Sequence, residues 1–154
     1  MGFKKGEYKM QPVALPRYNI RDTKRYYSEL NNIALKGIEV IPYNATSANE
    51  EVSHIKTSYL KRLLDKLPFN PIVDYDDELC SHTIALNEID LYGEGKTVEE
   101  AVEDLVNSII EFLAIYLEKL DMFSKVEPES KQVYLLKLLR CNGDKDKLKK
   151  AIGF

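Results

Sequence analysis

The sequence predicts an α+β protein, and three observations carry that prediction. Stretches with apolar residues three and four apart alternate with short β-branched runs, so helices and strands are interleaved. The sequence Thr97-Val98-Glu99-Glu100 has the form of a helix-opening capping box and precedes the longest periodic stretch. No internal repeat or low-complexity tract imposes a different organisation. A chain of 154 residues, 44% hydrophobic and 31% charged, suits one ordinary domain or two very small ones.

Residues 1–17, with two prolines and scattered lysines, read as an arm. Tyr18-Asn19-Ile20 is a candidate short strand. Asp22 or Thr23 can cap a helix running to about Leu35, with Tyr26, Leu30, Ile33 and Ala34 on one face. Gly37 supplies its stop. Ile38–Tyr43 (IEVIPY) has strand composition, residues 44–49 (NATSAN) form a polar loop, and Val52–Thr57 reads as the return strand of a hairpin. Ser58 then caps a helix that carries Leu60, Leu63, Leu64 and Leu67, and Pro68 ends it.

Residues 68–78 (PFNPIVDYDDE) read as an acidic, proline-bearing junction, which divides the chain into domains 1–67 and 68–154. His82–Leu86 and Ile89–Tyr92 are strand candidates, and Gly93 and Gly95 make a turn into the capped helix. That helix carries Val98, Val102, Leu105, Ile109, Phe112 and Tyr116 down one face. From Ile109 to Leu117 apolar residues cover nearly its whole circumference, which demands burial on more than one side, one of them against another chain. Pro128 opens a further helix faced by Val133, Leu136 and Leu139, with Leu135 and Leu138 beside it. Gly143 ends it, and Asp144 caps a last basic helix, Lys145–Ile152.

Charge is distributed unevenly. Residues 1–67 hold 12 Lys/Arg against 7 Asp/Glu, residues 68–129 hold 3 against 16, and residues 130–154 hold 7 against 2. A basic head favours a polyanion such as nucleic acid, and an acidic body favours a basic protein. The basic set Arg17, Arg21, Lys24 and Arg25 brackets the first helix beside three tyrosines, an arrangement that can straddle phosphates if a dimer doubles it.

The sequence offers little for catalysis. Asp74, Asp76, Asp77 and Glu78 could attract magnesium, but consecutive carboxylates cannot all aim at one ion, and a solvated acidic turn explains them better. His54 and His82 lack a nucleophile in a recognised motif, and Ser81 and His82 would point to opposite faces of a strand. Gly93-Glu94-Gly95 lacks the lysine of a phosphate loop and is crowded by acids. Cys80 and Cys141 form no metal motif, so free thiols in a reducing compartment are expected. There is no secretory signal and no membrane-spanning stretch, which points to the cytoplasm. No cofactor, metal site or enzymatic activity is expected.

Asn19–Lys66 resembles a Phd/YefM-type antitoxin domain. The segments that carry the likeness are YNI, SELNNIAL, IEVIPY, EVSHIKT and SYLKRLLDKL. Residues 82–120 resemble the strand–turn–helix of HicB-type antitoxins through HTIALNEIDLYGEGKTVEEAVEDLVNSIIEFL. Together they look like a RelE/RelB-type antitoxin of a type II toxin–antitoxin module. The Phd/YefM likeness implies a homodimer, or a higher even oligomer, that binds operator DNA through Arg21, Lys24 and Arg25. Leu30, Ile33, Ile38 and Val40 would lie in its core.

The HicB likeness implies a reduced ribonuclease-H-like fold without catalytic acids that neutralises a small basic ribonuclease toxin of RelE-like or HicA-like class. On that reading Glu99, Glu100, Glu103 and Asp104, with the acids of 74–78, meet toxin cations. Ile110, Leu113 and Leu117 anchor the contact, so Ile110→Asp or Leu113→Asp should break assembly. The rival readings are an interaction module that binds no DNA and a metal-dependent nuclease using Asp74, Asp76 and Glu78.

Overall fold

The computed structural model describes residues 14–44 and 50–154. The beginning of the expected arm and residues 45–49 of the polar loop lie outside them. Six helices and two small sheets make a mixed, α+β architecture among the described residues. The chain divides into two compact units between Leu63 and Leu64.

In the first unit, strands β1 (Arg17–Asn19) and β2 (Ile41–Tyr43) pair in parallel, Tyr18 opposite Pro42, and helix α1 (Ile20–Leu35) connects them. Asn19, not Asp22 or Thr23, caps α1: its side chain accepts from the Arg21 amide at 3.0 Å, so the helix swallows the expected strand end at Ile20. The helix is kinked at Tyr26 (φ −112°, ψ 17°). Gly37, at φ +94°, takes up the left-handed turn that stops it, and its amide donates to Ala34 O at 2.9 Å.

The expected hairpin shrinks to a single antiparallel bridge, Val40 to His54, with reciprocal backbone bonds of 3.0 and 2.8 Å. The next hydrogen-bonding position along the strand is Pro42, which has no N–H to give, so the ladder stops. The second helix, α2 (Thr57–Asp65), excludes Leu67; Leu64 is buried and Leu63 is 61% exposed. Tyr18, Leu30, Ile33, Ala34 and Val40 form the core of the first unit, with Tyr26 against it.

The second unit begins where a junction was expected. Ile72–Asp76 is a strand, β3, paired antiparallel with β4 (Ser81–Leu86), which pairs with β5 (Leu91–Gly95). The alternation in IVDYD was the strand signal, masked by Pro71 and the acids around it. Gly93 and Gly95 lie inside β5, and the turn is residues 87–90. Both glycines face helix α3 (Val98–Glu118). A Cβ on Gly93 would lie 2.4 Å from Ala101 O and Leu105 N, and one on Gly95 would lie 2.5 Å from Ala101 N. The glycines are therefore close-approach residues between sheet and helix.

The α3 cap forms as expected: Thr97 Oγ1 accepts from the Glu100 amide at 3.1 Å. The Glu100 carboxylate reaches back one residue further than the usual box, to the Lys96 amide at 2.8 Å. Ile84 and Leu86 of β4 close on Ala101, Val102, Leu105, Val106 and Ile109 of α3. Helices α4 (Leu120–Val126), α5 (Glu129–Leu139) and α6 (Lys145–Ile152) follow. The sequence reading places no helix at α4.

On α5 the buried stripe is Leu135 and Leu138, while Val133 and Leu136 are exposed, so the expected face is rotated. Asp144 caps α6 as expected, accepting from the Lys147 amide at 3.1 Å. Leu148 and Ile152 of α6 then enter the same core. Among the described residues no helix is long and apolar enough to cross a membrane.

Candidate functional site

The first candidate surface is the start of α1. Arg21, Lys24 and Arg25 are exposed on the helical segment that precedes the kink at Tyr26. Positions 21 and 25 are one turn apart and 24 lies beside them, so the three cations share a side of that segment. The Arg25 guanidinium lies 5.4 Å from the centre of the Tyr26 ring. Arg17 is placed differently. It sits in β1, forms an ion pair with Glu51 and lies 5.3 Å from the Tyr43 ring centre. The Arg17 hydrogen bond holds the Glu51 carboxyl below its usual range.

Leu30, Ile33 and Val40, which the family likeness puts in a dimer core, are at most 3% exposed and close the unit's own core. Ile38 is 43% exposed. Tyr27, Leu35, Val52, Ile55 and Tyr59 are exposed in the same unit, a large apolar surface beside the five core residues described.

The second candidate is the acidic start of α3, where the structure separates residues that the sequence groups. Glu100 closes the cap. Asp104 accepts from the Glu94 amide at 2.8 Å and so ties α3 to β5. Glu103 takes Lys145 and Lys149 of α6, each at 2.9 Å. Bonds first to Lys149 and then to Lys145 pull its pKa from 4.5 down to about 2. Only Glu99 of the four has no hydrogen bond or ion pair among the described residues. The basic tail thus folds onto the acidic helix. Lys131 of α5 does similar work at Asp90 and Glu127; burial opposes its charge, but bonds to the two carboxylates outweigh that and raise its pKa.

The apolar end of α3 is divided too. Leu113 is buried and Ile110 packs against the core. A charge at either would disturb the unit's own core as well as any partner contact, so neither substitution isolates a docking anchor. Phe112 and Tyr116, on the face expected to be the core side of the helix, meet Phe123 of α4 at ring distances of 5.8 and 5.5 Å, so the chain's own α4 covers part of the apolar circumference. Ile115 (46%) and Leu117 (55%) remain exposed, close in sequence to the exposed Leu120 and Met122 of α4.

The third surface is the one that the sequence reading took for a junction. All five residues of β3 are exposed. Asp74–Glu78 and Thr83 line an open concavity of about 630 Å³. Asp76 Oδ1 accepts from the Glu78 and Leu79 amides at 2.9 and 3.0 Å and holds the β3–β4 turn. Among the described residues no group of three His, Cys, Asp or Glu side chains is placed to hold a metal ion. His82 lies against Tyr75 with the rings tilted and their centres 4.8 Å apart, and His54 meets Tyr27 edge-on at 6.0 Å. Burial raises the pKa of the Cys141 thiol.

These surfaces fit a protein that works by contact. Residues 14–152 match the family model of PHD-like proteins, described as antitoxins of RelE/RelB toxin–antitoxin (TA) systems. The chain belongs to this antitoxin family. The antitoxin also shares its fold with a crystal structure from Syntrophomonas wolfei subsp. wolfei, described as an antitoxin part of a candidate toxin/antitoxin system. That likeness has a TM-score of 0.71 at 17% identity and covers 93% of this chain and 96% of the other. At that identity it speaks for the fold alone. No curated protein matches the antitoxin.

Proposed function

We propose that this antitoxin neutralises a cognate basic ribonuclease toxin, of RelE-like or HicA-like class, by direct binding through its second unit, and represses its own operon by binding operator DNA as a dimer through its first. The observation that carries the proposal is the unequal charge left after the chain has satisfied itself. Residues 1–63 hold 11 Lys/Arg against 6 Asp/Glu, with Arg21, Lys24 and Arg25 on the surface. In the second unit α5 and α6 return cations to Glu103, Asp90 and Glu127, yet Asp74, Asp76, Asp77, Glu78, Glu94 and Glu99 keep no ion pair among the described residues. A ribonuclease that grips RNA with lysines and arginines is the kind of partner such a surface occludes. Ile115 and Leu117 supply a separate apolar contact at the far end of α3. The Phd/YefM and HicB likenesses assign the same division of labour, in a cytoplasmic setting.

Co-expression with the small basic protein encoded beside this chain tests the first half. A stable complex by size-exclusion chromatography with light scattering, and rescue of growth from an otherwise lethal partner, are the expected results. A harmless neighbour and an unaccompanied antitoxin would sink it. For the second half, binding to the upstream DNA should fall steeply with salt and be lost in Arg21→Ala/Arg25→Ala. If that variant binds as well as the parent, the protein-interaction reading without DNA stands in its place.

A further inference from the structure

Strand β3 is an edge of the second unit's sheet, hydrogen-bonded to β4 on one side only. Helix α3 packs over β5 and β4 and leaves β3 overhanging, which is why Val73 and Tyr75, on the helix side of the sheet, are still 46% and 52% exposed. Ile72, Asp74 and Asp76 occupy the opposite face, in register with Ala85, Thr83 and Ser81. Every second residue of such a strand aims its N–H and C=O away from the sheet. Among the described residues no backbone group meets that row. An exposed edge of this kind is a template for another strand unless something blocks it.

Charge decides which strand fits. Residues 67–95 hold seven carboxylates and no lysine or arginine, and among the described residues only Asp90 of the seven is in an ion pair. A second copy of this chain is disfavoured: in the fully overlapped antiparallel register Asp74 would face Asp74, and like charges directly opposite destabilise a sheet. A basic extended segment is favoured. Its alternate cations would lie over Asp74 and Asp76 on one face, and apolar residues between them would cover Val73 and Tyr75 on the other.

We propose that β3 is the docking edge for a basic β-strand of the cognate toxin, which joins the sheet through main-chain hydrogen bonds while the acids select its side chains. This rests on the toxin-binding reading above and names the surface that performs it.

Amide hydrogen exchange on the full-length antitoxin tests it, measured alone and in complex with the basic protein encoded beside it. The β3 amides that exchange freely in the antitoxin alone should slow by roughly tenfold or more in the complex. Asp74→Lys/Asp77→Lys should weaken association by about a hundredfold; both side chains are exposed, and the turn-holding Asp76 is left in place. A complex that forms with β3 exchange unchanged overturns the docking edge and leaves toxin binding intact. No complex at all overturns both. Slowed exchange in the antitoxin alone, growing with its concentration, overturns the edge in favour of a second copy.

Discussion

The two units differ most in how completely each buries its own apolar surface. Among the described residues five buried side chains hold the first unit, while sixteen, from the sheet, α3, α5, α6 and the loops around them, form one cluster in the second. The first unit leaves Tyr27, Leu35, Ile38, Val52 and Ile55 exposed, the apolar surface on which the proposed dimer would close. The second unit closes a larger core of its own, and its exposed surface includes an acidic edge strand and the apolar end of α3. The same chain therefore joins a thinly closed unit to one with a much larger core of its own.

The most severe way to break the second unit is at the sheet–helix contact. Gly93→Val puts a branched side chain where the α3 backbone already lies, and should cost about 3 kcal/mol or more in urea unfolding. Next come matched deletions: Leu105→Ala and Leu30→Ala each remove a fully buried leucine, at about 2–5 kcal/mol. The first should lower the midpoint of the second unit. The second should melt the first unit completely and leave the other folded, because five residues cannot absorb that loss. A single shared transition in both variants would mean that the two units unfold as one.

A smaller effect is expected at the α3 cap, where Thr97→Ala should destabilise the second unit by about 1 kcal/mol. The smallest concerns Glu103. Its pKa is depressed from 4.5 to about 2, so its contribution is full above the higher value and is lost as pH falls from 4.5 towards 2. Glu103→Gln should flatten the acid-side stability profile of the second unit within that window and add salt-insensitivity. An unchanged profile would mean that α6 is held by Leu148 and Ile152 alone.

Legibility in the sequence followed the range of each signal. The α3 cap, the Asp144 cap and the Gly37 stop were readable because donor and acceptor lie within a few residues of each other. Arg21, Lys24 and Arg25 were readable as an exposed set because a helix start fixes their spacing. The α3 acids were legible as a cluster but not as three different jobs, since Lys145, Lys149 and the Glu94 amide come from elsewhere in the chain. Leu113 and Leu117 look alike in the sequence and end up buried and exposed.

What the sequence determined by itself was therefore local: the α+β class, the caps of α3 and α6 and the stop of α1, and a chain with a basic front, an acidic middle and a basic tail. The tertiary structure decided which of two leucine stripes on α5 turns inward, that Gly93 and Gly95 sit in a strand beneath a helix, and that IVDYD is an open edge. The physical reason is the same in each case. A hydrogen bond to a near neighbour is written in the spacing of residues, whereas burial and exposure depend on a surface supplied by a distant segment, and only the folded chain brings that surface into place.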